Sequence, residues 1–238
     1  MPKQQIDDHG DWQDRAVERS LGAARARALS HSSQFLAAAM ELAEETGRLD
    51  FTIRRLVDKS KLSTKAFYQY FDGKDDLLLA MYENLIGRFV DDLREEVLAP
   101  KDPLAQLETF CRAYLTRAAE SQTVGGRALT IFHLRLEIDR PEDFVKSYAP
   151  QLQLLTEILT GCVEAGVVRD DLPPAKLAVL LSSTLMSLAQ TGVLHAGVEN
   201  VDLTGDDVWA WCRLAVGAHE LATKGRGRKS SSGHTGAA

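Results

Sequence analysis

Cysteine is scarce: Cys111, Cys162 and Cys212 lie about fifty residues apart with no CxxC pair, which leaves neither a disulfide framework nor a zinc-finger spacing. A Gly-rich phosphate loop, a nucleophile elbow and any paired-acid arrangement beyond solvent-facing charge are also missing. Nothing in the sequence therefore calls for an enzyme or a cofactor. His133 and Glu137 stand four apart, but two ligands alone make no metal site, and none is expected. The N-terminus MPKQQIDDHGDWQDR lacks the apolar stretch of a secretory signal, which points to the cytoplasm. The one long charge-free run, Leu177 to Val198, carries Ser182, Ser183, Thr184, Ser187, Gln190 and Thr191. That polarity disfavours a membrane span and suits a helix buried in a core or a subunit interface.

What the chain does have is helical periodicity. Its 238 residues are 45% hydrophobic and 26% charged, a composition that folds and can hold one domain or a small one fused to a larger. No alternating strand pattern and no internal repeat is visible, so the expected class is all-α. Residues 1–29 are polar, end close to Arg25 and Arg27, and read as a flexible arm, either disordered or a frayed helix. Phe35, Ala38, Ala39 and Leu42 mark a first helix ending near Gly47. Thr52 can cap a second, short helix with Ile53, Leu56 and Val57 on one face, and the chain must turn over Ser60–Leu62. Ser63 can cap a third, equally short. Lys74 to about Leu98 forms a long fourth helix with Asp75 and Asp76 at its positive end. Further helices are expected from Pro103, after TVGGRALT, over QLQLLTEILTGCVEAGVV and after Pro173-Pro174, with Pro141 and Pro150 as breaks. A last helix carries a stripe of Val208, Trp211, Cys212, Ala215 and His219, and residues 223–238 read as a disordered tail.

Charge is unevenly placed along this pattern. Between Thr52 and Lys74 six cations (Arg54, Arg55, Lys59, Lys61, Lys65, Lys74) face two acids (Asp58, Asp72), a local +4 on a chain whose net charge is −6. A cationic patch on an acidic body is an electrostatic footprint for nucleic acid. Two short helices joined by a three- to four-residue turn fit helix-turn-helix logic, in which the second helix reads the major groove. Its leading residues Thr64, Lys65, Ala66 and Gln69 have the size and polarity to meet base edges. Phe67 and Phe71 face inward, while Tyr68 and Tyr70 keep their hydroxyls out for phosphate oxygens, joined by Lys74.

At these residues the chain resembles the TetR family of one-component bacterial regulators. TIRRLVDKSKLSTKAFYQYFDGKDDL meets the family's Thr, Ser, Tyr-x-Tyr-Phe and Lys-acid-acid-Leu positions, and the clear resemblance spans about residues 33 to 80. It implies phosphate contacts at Thr52, Tyr68, Tyr70 and Lys74, to which Ser63 is added, and groove contacts at Thr64, Lys65, Ala66 and Gln69. The family's Ala-Gly-Val turn is Ser60-Lys61-Leu62 here. A left-handed Lys61 costs on the order of 1 kcal/mol, which a phosphate contact from its side chain would offset.

The expected organisation is a helix-turn-helix DNA-binding domain over 30–76 and a larger helical domain over 77–222 for ligand binding and dimerisation. Phe89, Phe110, Tyr114, Phe132, His133, Leu136, Leu155, Leu159 and Met186 are candidates to line a ligand cavity, as the same helices do in the resembled family. Thr184, Leu188, Val208, Trp211 and Ala215 are candidates for a four-helix interface between two copies of the chain. The expected function is a ligand-responsive regulator, a repressor released from a palindromic operator by a small apolar or amphipathic effector. Its expected partners are double-stranded DNA, that effector and a second copy of itself, with no membrane. The competing reading is a helical scaffold that never meets DNA.

Overall fold

Short helices cannot stand alone in water, so the architecture is a question of what each one packs against. A computed structural model describes residues 11–120, 124–194 and 203–219. The helices are α1 (Asp11–Thr46), α2 (Ile53–Ser60), α3 (Thr64–Tyr70), α4 (Lys74–Val97), α5 (Pro103–Glu120), α6 (Val124–Asp139), α7 (Pro141–Glu164), α8 (Pro174–Leu194) and α9 (Gly205–Ala215). No strand occurs among the described residues, which agrees with the all-α expectation.

The second half of α1 is the spine of the N-terminal unit. Phe35, Ala38, Ala39 and Leu42 are buried with Phe51, Leu56, Phe67, Phe71, Leu77, Leu78 and Met81. Phe35 meets Phe67 and Phe71 edge-on at centroid distances of 5.5 and 6.1 Å, the preferred geometry for aromatic pairs. The caps lie where the sequence suggests: the Arg55 N–H donates to the Thr52 hydroxyl at 3.2 Å and the Ala66 N–H to the Ser63 hydroxyl at 3.0 Å. Each satisfies a backbone donor that a helix start leaves unpaired.

α4 ties this unit to the rest without a linker. Its Leu77, Leu78 and Met81 belong to the N-terminal core, Leu79 and Tyr82 pack with Leu136, and Val90, Leu93 and Val97 enter the main core. That main core joins α5, α7, α8 and α9 around Leu107, Phe110, Leu154, Leu155, Leu159 and Leu181.

Three expectations change. Residues 11–29 are not a loose arm but continue α1, because VERSLGAARARAL is rich in strong helix formers and contains no stop signal apart from one glycine. Almost all of it is solvent-exposed, so it extends a packed helix rather than packing itself. Pro150 does not break α7. It lies on the exposed face, where a lost backbone bond meets water, while Ser147, Gln151, Leu154 and Ile158 hold the other face buried. The glycines of TVGGRALT start α6 rather than form a loop. Residues 1–10 and the tail from 223 lie outside the described residues.

Phe67 has no exposed surface and anchors a seven-residue helix. Phe67→Ala should lower the unfolding free energy by roughly 3–5 kcal/mol, measured by denaturant titration, whereas Tyr68→Ala, on the exposed side, should change it little.

Candidate functional site

One face of the molecule is built by the α2–turn–α3 segment. Thr64, Lys65, Tyr68 and Gln69 are exposed, with Tyr68 58% accessible, and Ala66 is half-buried. The burial of Phe67 and Phe71 fixes which side of α3 points out. Between the helices Lys61 adopts φ 60°, ψ 19°. Among the described residues it is the one non-glycine with a left-handed backbone, the conformation glycine provides free of side-chain strain.

The charge of this segment is smaller than its sequence suggests. Lys59 contacts Glu41 at 3.0 Å and also Glu45, and Arg55 reaches Glu45 at 3.3 Å. Hydrogen bonding to Lys59 lowers the Glu45 pKa, and bonding to Glu45 and Glu41 raises that of Lys59. These pairs spend two of the six cations in holding α2 to α1. Lys74 is partly withdrawn: burial lowers its pKa, and its ammonium lies 5.0 Å from the Phe51 ring centroid. Tyr70 is half-buried and its hydroxyl lies 3.3 Å from His31 Nδ1 on α1. Arg54, Lys61 and Lys65 are exposed.

A second site is a cavity of about 380 Å³ between the two units. Its wall takes Met40 and Glu44 from α1, Tyr82, Ile86 and Phe89 from α4, Tyr114 from α5, Leu129 and His133 from α6, Tyr148 and Gln151 from α7, and Met186 and Gln190 from α8. Of the expected lining, Phe89, Tyr114, His133 and Met186 do face this space. Phe110, Leu155 and Leu159 are instead solid core, while Phe132 and Leu136 pack beside Tyr82 where the two units meet. Core and cavity residues share one periodicity, so the sequence could not separate them. Tyr82, Tyr148, Gln151 and Gln190 were missed; polar residues on otherwise apolar helix faces were the available signal.

Much of the cavity's polar wall is satisfied internally. Tyr148 and Ser182 hydroxyls bond each other, and the Gln151 amide donates to the Tyr148 hydroxyl at 2.8 Å. Burial raises the pKa of Tyr82, Tyr114 and Tyr148, so all three remain hydroxyl donors at neutral pH. Tyr82 is hydrogen-bonded to His133 Nδ1. Burial pushes the His133 pKa down to about 4, leaving a neutral ring. Two buried nitrogens of lining residues, His133 Nε2 and Gln190 Nε2, have no partner among the described residues. An orphaned buried donor costs about 1–3 kcal/mol.

The candidate interface residues divide. Trp211 is 52% exposed, and its neighbour Leu214 81%; with Leu180 of α8, also exposed, they leave apolar surface in water. Thr184 and Ala215 are half-buried, and Leu188 packs on the main core. Val208 is 3% exposed and is unavailable to a partner. The inward stripe of α9 is Val208, Trp209, Cys212 and Val216, shifted from the expected one because Trp209 rather than Trp211 takes the core position. No helix among the described residues is long and apolar enough to cross a membrane.

Residues 35–81 match the family model for bacterial regulatory proteins, tetR family. The fatty acid metabolism regulator protein of Bacillus subtilis (strain 168) is 20% identical over 166 residues, 68% of this chain and 83% of that protein. The HTH-type transcriptional regulator HbdR of Aromatoleum sp. (strain CIB) is 30% identical over 74 residues, 31% of this chain and 32% of that one. In fold, the chain is similar to the transcriptional regulator FadR of Bacillus subtilis in complex with stearoyl-CoA. The TM-score is 0.59 at 18% identity, covering 78% of this chain and 95% of that one.

The cavity wall has a pH signature. Below the ordinary imidazole range the unfolded chain takes up a proton that folded His133 refuses until about pH 4. Stability is thus full above pH ~6.5 and falls as the pH drops from there. Chemical denaturation at fixed protein concentration should show a loss of roughly 1–3 kcal/mol across that window, and His133→Gln should remove that part of the pH dependence.

Proposed function

We propose, on the premise of the match of residues 35–81 to the tetR family of bacterial regulatory proteins, that this chain is a DNA-binding transcriptional repressor that a small amphipathic molecule releases from its operator. The DNA-reading domain is residues 30–76, and residues 77–222 bind the effector and dimerise. α3 enters the major groove. Thr64, Lys65, Ala66 and Gln69 meet base edges, while Thr52, Lys61, Ser63, Tyr68, Tyr70 and Lys74 hold phosphates. The opposed burial of Phe67 and exposure of Tyr68 supports that orientation. The exposed apolar surface of Trp211, Leu214 and Leu180 supports a homodimer through α8 and α9. Two-fold symmetry then calls for a near-palindromic operator with half-sites roughly 34–36 Å apart.

The observation that carries the release mechanism is a shared wall. Met40 and Glu44 line the cavity from the same helix that supplies Phe35, Ala39 and Leu42 to the core beneath α3. Leu129 of α6 belongs to both as well. An occupant that displaces α1 or α6 therefore tilts the reading head directly, as well as through α4. The effector acts only through its unequal affinity for the two states: a hundredfold loss of DNA binding requires about 2.7 kcal/mol of coupling. The Bacillus subtilis regulator in complex with stearoyl-CoA supports an amphipathic effector.

Gel-shift titration against the DNA upstream of the protein's own gene, at two salt concentrations, tests the reading. Sequence-specific binding should weaken steeply with salt, with a log–log slope of roughly −0.9 per phosphate neutralised. Lys65→Ala or Gln69→Ala should change which site is preferred, by about 1–3 kcal/mol at the contacted base. Tyr68→Phe should weaken all sites alike. Indistinguishable effects of the two kinds of change would remove the assignment, and no specific binding would favour a scaffold. Lys61→Gly should separate two roles, raising stability by on the order of 1 kcal/mol while weakening DNA binding.

A further inference from the structure

The cavity wall is short of acceptors at two points, and both have the same chemical sense. His133 is 9% exposed, and its tautomer is assigned from its neighbour. The phenol of Tyr82 has the imidazole Nδ1 as its partner. If Nδ1 carried the ring proton, the phenol hydrogen would be left with no acceptor; if the phenol donates to Nδ1, both are satisfied. The ring proton therefore resides on Nε2, which is buried and unpartnered. Gln190, on α8, lines the same cavity, and its amide nitrogen is also buried and finds no partner among the described residues. Both atoms are donors. A fold that leaves two donors unmet on one cavity wall leaves room for an acceptor that the described residues do not supply.

The charge of the wall narrows what that acceptor is. Among the described lining residues the formal charge is a single carboxylate, Glu44, with no lysine or arginine. The imidazole is neutral at physiological pH because burial disfavours its charged form. An anion brought here would lose its hydration, find no cation to pair with and stand near a carboxylate. A carbonyl oxygen incurs far less desolvation and accepts two hydrogen bonds. The remaining wall, with Ile86, Phe89 and Met186, is apolar.

We propose that the cavity selects a ligand with an apolar chain and an uncharged carbonyl oxygen, held between His133 Nε2–H and Gln190 Nε2–H. The inference rests on the reading of this cavity as the effector site, and it excludes free carboxylates from that role. An ester and an acyl thioester share this chemistry.

Displacement of the neutral dye N-phenyl-1-naphthylamine from the full-length protein at pH 7.5 provides the test, with methyl decanoate, decanoate and decanoyl-CoA as competitors. Methyl decanoate should bind at least tenfold tighter than decanoate, and Gln190→Leu should abolish that advantage without lowering the melting temperature of the free protein. His133→Phe, checked for folding by its melting transition, should do the same. The decanoyl-CoA arm distinguishes a thioester carrier from a free neutral lipid; preference for either over decanoate, lost in Gln190→Leu, supports the proposal. Decanoate binding as tightly as the ester, or ester affinity indifferent to both substitutions, overturns the donor pair and leaves the cavity's effector role standing. If neither dye nor competitors bind, both fail. An ester that binds as expected yet leaves operator binding unchanged supports the donor pair and removes the effector role.

Discussion

The packing of Phe35 against Phe67 and Phe71 is the contact on which the N-terminal unit turns. A helix of seven residues has too few internal hydrogen bonds to repay its own nucleation. Here it is held by a hydroxyl cap at Ser63 and by two rings driven into the α1 surface. Once those rings are fixed, the remaining side chains have no freedom of choice. Phe67 is inside, so Lys65, Tyr68 and Gln69 are outside, and the outward set happens to be the polar, hydroxyl-tipped and cationic one. The surface chemistry of α3 is a consequence of its anchoring.

The same helix that receives those rings also forms part of the cavity wall. This makes α1 a common element of two sites, and α6 a second one through Leu129. Packed interiors do not deform smoothly, so under the proposed function a change in cavity occupancy would be transmitted as a shift of whole helices. The polar content of the wall adds a chemical bias. Its tyrosines and Gln151 are tied into an internal network, whereas the buried Nε2 atoms of His133 and Gln190 find no partner among the described residues.

Electrostatics follow a division of labour. Arg55 and Lys59 are committed to Glu45 and Glu41 across the α1–α2 contact, a role in orientation more than in stability, since exposed pairs are each worth little. The exposed cations Arg54, Lys61 and Lys65 remain on the surface of the α2–turn–α3 segment. Lys61 bears backbone strain that a glycine would avoid.

Local chemistry alone determined a good deal of this protein. Thr52 and Ser63 announced helix starts because short hydroxyl side chains satisfy the first backbone donors; Phe67 and Phe71, four apart, announced a buried face; Pro103 and Pro173-Pro174 marked helix entries. Those signals depend on neighbours within a turn or two, and they sufficed for the all-α class and the helix-turn-helix. Whatever depends on partners distant in sequence was decided by tertiary packing. It spent Lys59 on α1, turned Val208 inward, let Pro150 stay inside α7 by placing it in water, and separated cavity residues from core residues on helices whose periodicity is the same for both. A one-dimensional pattern gives a helix its apolar face, but only the assembled bundle determines which part of that face meets another helix and which part meets a void.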